Sequence, residues 1–491
     1  MIDTQSLRGK ILDRALHGEL TCQLPEDGTG AQLYQEIIEK RKELSKAGRI
    51  KNLKKLPEVS EDEWLFEIPQ SWKWIRLGNV ASIFGGKRIP AGRKLTTEDT
   101  GHKYIRVSEM KNETVIIEDM LYVPEDIYPS ISQYIINKED VYITVAGTIG
   151  RVGKIPEEID GANLTENADR IVFDMIDQDW LISCLSSSEI QKEISLSTTQ
   201  VAQPKLAIKR IEDLIIPLPP LNEQKRMVHI LNQVFPILDT INALQDQYAS
   251  NQEALKSKLI DAAIQGKLTD QLSEDGNVSS TISDLLERRK DLVNSGDIRK
   301  KKILPEIEES EYPFEIPQNW KWVHISDVWA IINGDRGKNY PAKSTLSHEG
   351  IPFISALNLD GTTVVADDKL MCLSDEQYEK LGSGKLRKGD VVVCIRGSLG
   401  KHGKYPFDKG AIASSLIIAR NYIQNEVIND YLMVYLDSQL FRDEIEKYNG
   451  GSAQPNLAAE SLEKFRIPFP PVDEQLRIVN RVSELLERIT E

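Results

Sequence analysis

The sequence predicts a mixed α/β (α+β) fold made twice: two tandem-duplicated globular domains separated by two long antiparallel, coiled-coil-like helical regions, with pseudo-twofold symmetry. Three observations predict it. Four blocks of sequence occur twice in the same order. Each half contains one long stretch in which short β-rich runs alternate with Gly, Pro and Asn turns. Between these stretches, Asn222 to Ile264 is almost free of glycine and proline and carries a helical apolar pattern.

The repeats set the frame. LRGKILDRALHGELTCQLPEDG from Leu7 matches LKSKLIDAAIQGKLTDQLSEDG from Leu255, and FEIPQSWKW at Phe66 recurs as FEIPQNWKW at Phe314, both at a shift of 248 residues. DVYITVAGTIGRVGKIP from Asp140 matches DVVVCIRGSLGKHGKYP from Asp390 at a shift of 250. AQPKLAIKRIEDLIIPLPPLNEQKRMV from Ala202 matches AQPNLAAESLEKFRIPFPPVDEQLRIV from Ala453 at 251. A period near half the chain is too long for a solenoid repeat and marks a tandem duplication.

The elements follow in chain order. Residues 1–62 read as a helical segment and a basic linker, RKELSKAGRIKNLKK. The first globular domain spans 63–221, with VYITVAG and IVFDMI as strands and WLISCLSSSEIQKEI as a helical stretch. Residues 222–311 hold the central helix and a second basic linker, RRKDLVNSGDIRKKK. Met227, Leu231, Val234, Leu238 and Ile241 alternate steps of four and three, the seam of a packed helix pair, and Leu255 and Leu259 continue the apolar face. Pro236 is expected to kink this helix or divide it, and the whole stretch would reach roughly 65 Å. The second globular domain spans 312–472, with strands VVVCIRG and AIASSLIIAR and the helical DYLMVYLDSQLFRDEIEKY. In the closing segment, 473–491, Ile478, Val482, Leu485 and Ile489 fall on Met227, Leu231, Val234 and Leu238. Joined end to end, the termini would rebuild most of the central helix, so a closed body with neighbouring termini is expected.

Composition bounds the function. At 491 residues, 40% hydrophobic and 28% charged, the chain suits a soluble protein of two or three domains. No run approaches the roughly 18 apolar residues of a membrane span, and MIDTQSLRGK lacks the apolar core of a secretory signal. Cys22, Cys184, Cys372 and Cys394 stand far apart, without the spacing of a disulfide framework or zinc site. These features predict a cytoplasmic protein. The net charge of −15 argues mildly against nucleic acid, although acidic helices can outweigh a few basic loops. The six histidines form no metal-ligand spacing, so neither metal nor catalytic residues are assigned, and the chain is not expected to be an enzyme.

Basic loops supply the candidate contact residues. GGKRIPAGRK gathers Lys87, Arg88, Arg93 and Lys94 with no acid between them, and the aligned GDRGKNYPAK supplies Arg336, Lys338 and Lys343. A solvated charge run is the plain reading; guanine readout or phosphate contact is the functional one. GTIGRVGK and GSLGKHGK carry Arg151, Lys154, Lys401 and Lys404 but fail both the P-loop and the dinucleotide spacing. A Gly-rich turn between strands and a close approach to a DNA backbone both stand as readings. Arg106 and Arg396 are further candidates. Trp72, Trp74, Trp320 and Trp322 are assigned to the core, because duplex bases are already stacked on one another. Two diverged domains on a rigid spacer suit a ligand with two nearby, non-identical sites, and duplex DNA is the commonest.

Taken together, the F-E-I-P-x-x-W-K-W stretches, the G-x-[IL]-G-x-x-G-K loops, the A-Q-P-[KN]-L segments and the I-P-[LF]-P-P-[LV]-[ND]-E-Q exits, each present twice, resemble the specificity subunit of type I restriction–modification systems over essentially the whole chain. The resemblance implies a non-catalytic subunit whose globular domains are target recognition domains, each reading one half of a bipartite, asymmetric double-stranded DNA sequence. It implies that the helices act as spacer and dock two methyltransferase subunits, and that motor–nuclease (restriction/translocase) subunits join the complex. S-adenosylmethionine, ATP and Mg²⁺ would sit on those partners and none on this chain. A two-domain protein-interaction scaffold that reads no DNA is the alternative.

Overall fold

The computed structural model describes residues 1–47, 55–198, 204–364, 369–449 and 455–490. The chain divides into two units, Met1–Asp246 and Gln247–Glu491. In the first, the N-terminal helix Thr4–Leu16 starts at Asp3, whose carboxylate accepts from the Ser6 amide at 2.9 Å. It runs antiparallel to the start of the central helix Leu221–Ile264: Thr4 meets Asn242 at 3.2 Å, Arg8 pairs with Asp239 at 2.8 Å, and Thr21 reaches Glu223 at 3.0 Å. Met227, Leu231 and Leu238 are buried in this pairing, with Val234 and Ile241 packed against them. Pro236 does not divide the helix, which runs through it as one element of 44 residues, about 66 Å at 1.5 Å per residue.

The second unit forms the same pair from the other pieces. The end of the central helix lies antiparallel to the C-terminal helix Val472–Thr490: Gln271 bonds Glu474 at 3.0 Å, and the Arg477 guanidinium grips Asp275. Ile478 and Val482 are buried, while Leu259, Leu485 and Ile489 are half-buried. Leu255 departs from the expected apolar face, being 53% exposed. The buried stripe here runs through Ile260, Ala263 and Ile264. At 3.6 residues per turn, Leu255 lies about 140° around from Ile260 and half a turn from Ile264.

Each globular module hangs on a two-stranded ribbon. The incoming strand Lys73–Arg76 pairs antiparallel with the outgoing strand Ile215–Leu218, Lys73 opposite Leu218. In the second unit Lys321–His324 pairs with Arg466–Phe469, Lys321 opposite Phe469. The four tryptophans of the repeated motif are buried, as the sequence predicts, Trp74 and Trp322 in these ribbons and Trp72 and Trp320 immediately before them. The Trp72 indole N–H donates to the buried Glu223 carboxylate at 2.9 Å, and Trp320 donates likewise to Glu474 at 2.8 Å. Both carboxylates stand in the first turn of a helix, where its dipole favours negative charge. Thr21 and Gln23, or Thr269 and Gln271, satisfy the remaining oxygen. The FEIPQ-x-WKW and [ND]-E-Q motifs are therefore two halves of one lock.

Inside the first module an antiparallel sheet orders Ala81–Gly85, Ala168–Phe173, Val141–Thr144 and Val152–Lys154. A second sheet orders Leu121–Tyr122, Lys103–Ile105, Ala162–Leu164 and Ile135–Ile136, with Lys103–Ile105 parallel to Ala162–Leu164. The second module repeats both sheets, with Trp329–Asn333, Leu416–Asn421, Val391–Cys394 and His402–Lys404 in the first. AIASSLIIAR, expected as one strand, is two, Gly410–Ile412 and Leu416–Asn421, parted by a turn. The two helical stretches also break once each, at buried serines. Ser187 ends one helix and caps the next, and Ser438 caps the helix that follows the break after Asp437; they accept from the amides of Ile190 and Phe441.

Candidate nucleic-acid interface

The turn joining the two sheets is where the candidate loops meet. In the first unit the Gly86 and Lys87 amides donate to Ala168 and Leu164 carbonyls at 3.1 and 2.8 Å. The Val145 amide donates to Asn167 at 2.8 Å, and Leu206 in turn donates to Val145 at 3.0 Å. The loop after Gly85, the hairpin loop 145–151 and the segment 204–206 thus converge on residues 165–168. The second unit builds the same junction: Ile395 donates to Ser415 and Leu457 to Ile395, each at 2.9 Å, and Arg336 reaches the Ser414 carbonyl at 3.3 Å. Glycine is required where the loop leaves the strand. A Cβ on Gly86 would stand 2.0 Å from the Thr165 carbonyl oxygen, and one on Gly334 2.7 Å from that of Ala413. The first two residues of each A-Q-P motif lie outside the described residues.

The G-x-[IL]-G loops are hairpin connections between Val141–Thr144 and Val152–Lys154, and between Val391–Cys394 and His402–Lys404. Their glycines take left-handed backbone, with φ of +78° and +88° at Gly147 and Gly150 and +81° and +80° at Gly397 and Gly400. The turn reading accounts for the glycines; the cations on it have separate fates. Lys154 pairs with Asp179 at 2.8 Å and Lys404 with Asp430 at 2.7 Å, equivalent contacts that tie each hairpin to the following helix. Arg151 gives one guanidinium nitrogen to the Met110 carbonyl and is otherwise exposed. Arg396 bonds the Asn456 side chain, and Lys401 is exposed.

The first loop shows the same division. Arg88 pairs with Glu166, Arg93 with Asp126, and Arg106 with the buried Glu109. Lys87 lies 5.7 Å over the Tyr134 ring, while Lys94, Lys338 and Lys343 are exposed with no partner among the described residues. Arg88 and Arg336 occupy equivalent positions three residues past a strand end, yet one faces a carboxylate and the other a carbonyl. Exposed surface pairs of this kind are worth little and can be exchanged for phosphate.

Sequence reasoning missed three participants. Glu166 sits on the junction turn and neutralises Arg88. Tyr340 accepts from the Ser414 amide at 3.4 Å on the matching turn. Asp169, beside Gly85, is buried, and burial pushes its carboxyl up to about 6 against the opposing pull of Lys205. Only the register of Ala168–Phe173 reveals the last, since its counterpart Ile417 is apolar. Among the described residues no cluster of three or more His, Cys, Asp or Glu is arranged to hold a metal, and no helix is long and apolar enough to cross a membrane.

Comparison with known proteins agrees with this doubling. The family model described as the type I restriction modification DNA specificity domain matches residues 69–247 and again 317–491. The EcoAI type I restriction enzyme specificity subunit of Escherichia coli is 25% identical, the alignment covering 98% of this chain and 89% of that protein. The EcoEI specificity subunit of Escherichia coli is also 25% identical, with the same coverage. A chain solved in work on complex assembly and conformational transition of the type I R-M system superposes with a TM-score of 0.58 at 18% identity, covering 87% of this chain and 92% of that one.

Proposed function

From the premise that this chain belongs to the type I restriction modification DNA specificity family and is a specificity subunit, we propose how its parts divide the work. Each module reads one half of a bipartite, asymmetric target in double-stranded DNA. The observation that carries this is the junction of loops in each module, built alike in backbone but bearing different side chains: Lys87, Arg88 and Glu166 on one, Asp335, Arg336 and Tyr340 on the other. Equal scaffolds with unequal reading groups suit two half-sites of different sequence.

The long helices act as the spacer and dock two methyltransferase subunits. Support comes from the central helix, where Ile237, Leu244, Tyr248 and Leu255 are all more than half exposed and spaced by seven, four and seven residues. That spacing lays an apolar stripe along one side for partner helices. Restriction and translocation subunits join through the methyltransferases, and S-adenosylmethionine, ATP and Mg²⁺ belong to those partners. The chain itself supplies no catalytic group, and the assembly works in the cytoplasm.

Selection from a random duplex library by the chain mixed with its methyltransferase subunits tests the reading. A bipartite motif with two unlike halves is expected. Intact subunit assembly with no enriched motif would favour a scaffold that reads no DNA.

A further inference from the structure

The two junction turns differ where an arginine meets them. At the common shift of 248 residues, Arg88 corresponds to Arg336 and Glu166 to Ser414. In the first module the Arg88 Nε–H donates to one oxygen of the Glu166 carboxylate, and the Thr165 hydroxyl donates to the other at 3.1 Å. Both terminal nitrogens of the Arg88 guanidinium are without a partner among the described residues, and its side chain is 73% exposed. The other candidate arginines of this module have spent theirs. Arg93 gives Nη2 to Asp126, Arg106 gives Nε and Nη2 to Glu109, and Arg151 gives Nη1 to the Met110 carbonyl. In the second module Ser414 offers no carboxylate to hold Nε, and Arg336 turns Nη2 onto its carbonyl at 3.3 Å.

The backbone on either side of this pair is fixed. The Gly86 and Lys87 amides are bonded to the junction turn, and the Tyr104 hydroxyl donates to the Lys87 carbonyl at 2.9 Å. Thr165 is buried, and its amide donates to the Ile105 carbonyl at 3.1 Å, so Glu166 stands on backbone anchored to the second sheet. Ordering a free arginine on contact costs rotamer freedom, and a side chain already held at Nε has less to lose. With Nε occupied, the edge left to solvent is the two-donor end, Nη1 and Nη2. Guanine presents O6 and N7 to such a fork in the major groove. A phosphate contact draws on net charge, which Glu166 here offsets, whereas a base edge needs two donors in a set plane, which Glu166 provides.

We propose that Arg88 reads a guanine in the first module's half-site through Nη1 and Nη2, and that Glu166 is its positioning residue. The assignment rests on the reading of each module as the reader of one half-site. Selection from a random duplex library by the chain with its methyltransferase subunits tests it, run on the wild type and on variants. Arg88→Lys keeps the charge but not the fork. It should lower the preference for one G·C pair in one half by about tenfold or more, every other position standing. Glu166→Leu should weaken the same position, and Glu166→Gln, which keeps an oxygen for Nε, should restore it. Arg336→Lys should leave the motif unchanged. Arg88 is exposed, so its variant decides the matter even where Glu166→Leu fails to fold. A motif untouched by Arg88→Lys, a loss spread over both halves, or an equal loss of one base pair in Arg336→Lys overturns the assignment. Glu166→Leu with an intact motif overturns the positioning role. A wild-type chain that enriches no motif removes the half-site reading itself, a different result from a motif that the Arg88 variant leaves alone.

Discussion

The Trp72–Glu223 and Trp320–Glu474 bonds show how much one buried donor matters. Each carboxylate is all but inaccessible and depends on its donors for solvation. Trp72→Phe keeps the aromatic packing but removes the indole N–H, and should destabilise the first unit by about 1–3 kcal/mol in urea denaturation. The motif pair was visible in the sequence as repetition. That its two halves touch was not, because 151 residues separate donor from acceptor. Asp169 makes the complementary case, a group with no repeat to betray it. Its carboxyl titrates near 6 in the fold and near its ordinary value of 3.8 when unfolded. Between those values the folded chain holds the extra proton, so stability should fall as pH rises from about 4 to about 6 and then level off. Asp169→Asn should abolish that slope and raise the melting temperature at pH 8 more than at pH 5, the difference in stability being on the order of 1–2 kcal/mol. Thermal melts of the two proteins across that range check it.

Among the elements, the central helix was the most legible and the most instructive. Its span followed from the near-absence of glycine and proline, and its first seam from the steps of four and three. Of the two outcomes expected at Pro236, division does not occur, because helix-breaking propensity gives way when flanking turns are already held by tertiary packing. Phe235 and Leu238 on either side are buried, while Pro236 faces solvent. Pro236→Ala should restore the missing N–H and stabilise the first unit by about 1–3 kcal/mol, read as a higher melting temperature with unchanged helix content by circular dichroism. The strands were recognisable as β-rich runs, but not their breaks. Residues 413–415 are small and carry no glycine or proline, so nothing local announced the junction turn. Its role comes from the loops that bond to it, which only register can show.

At the scale of the whole molecule, each unit completes its own helix pair and its own core, the first from residues up to Asp246 and the second from Gln247 onward. Separately expressed fragments 1–246 and 247–491 should therefore each fold and melt cooperatively; a fragment that stays unfolded by circular dichroism counts against that independence. Replacing 77–214 with 325–465, cut inside the ribbons, should leave the helices intact and give a protein whose two half-sites are alike, as library selection would show. The ribbon has a consequence for tolerance to length change. Because Lys73 faces Leu218, and Lys321 faces Phe469, the ends of each module are neighbours whatever lies between. The offset between the copies grows from 248 at the incoming strands to 251 at the outgoing ones, so the second module is three residues longer, yet both ribbons keep the same register. Insertions and deletions in the reading loops are absorbed before the chain returns to its helices. What is read can drift in sequence and in size while the frame that carries it stays in step.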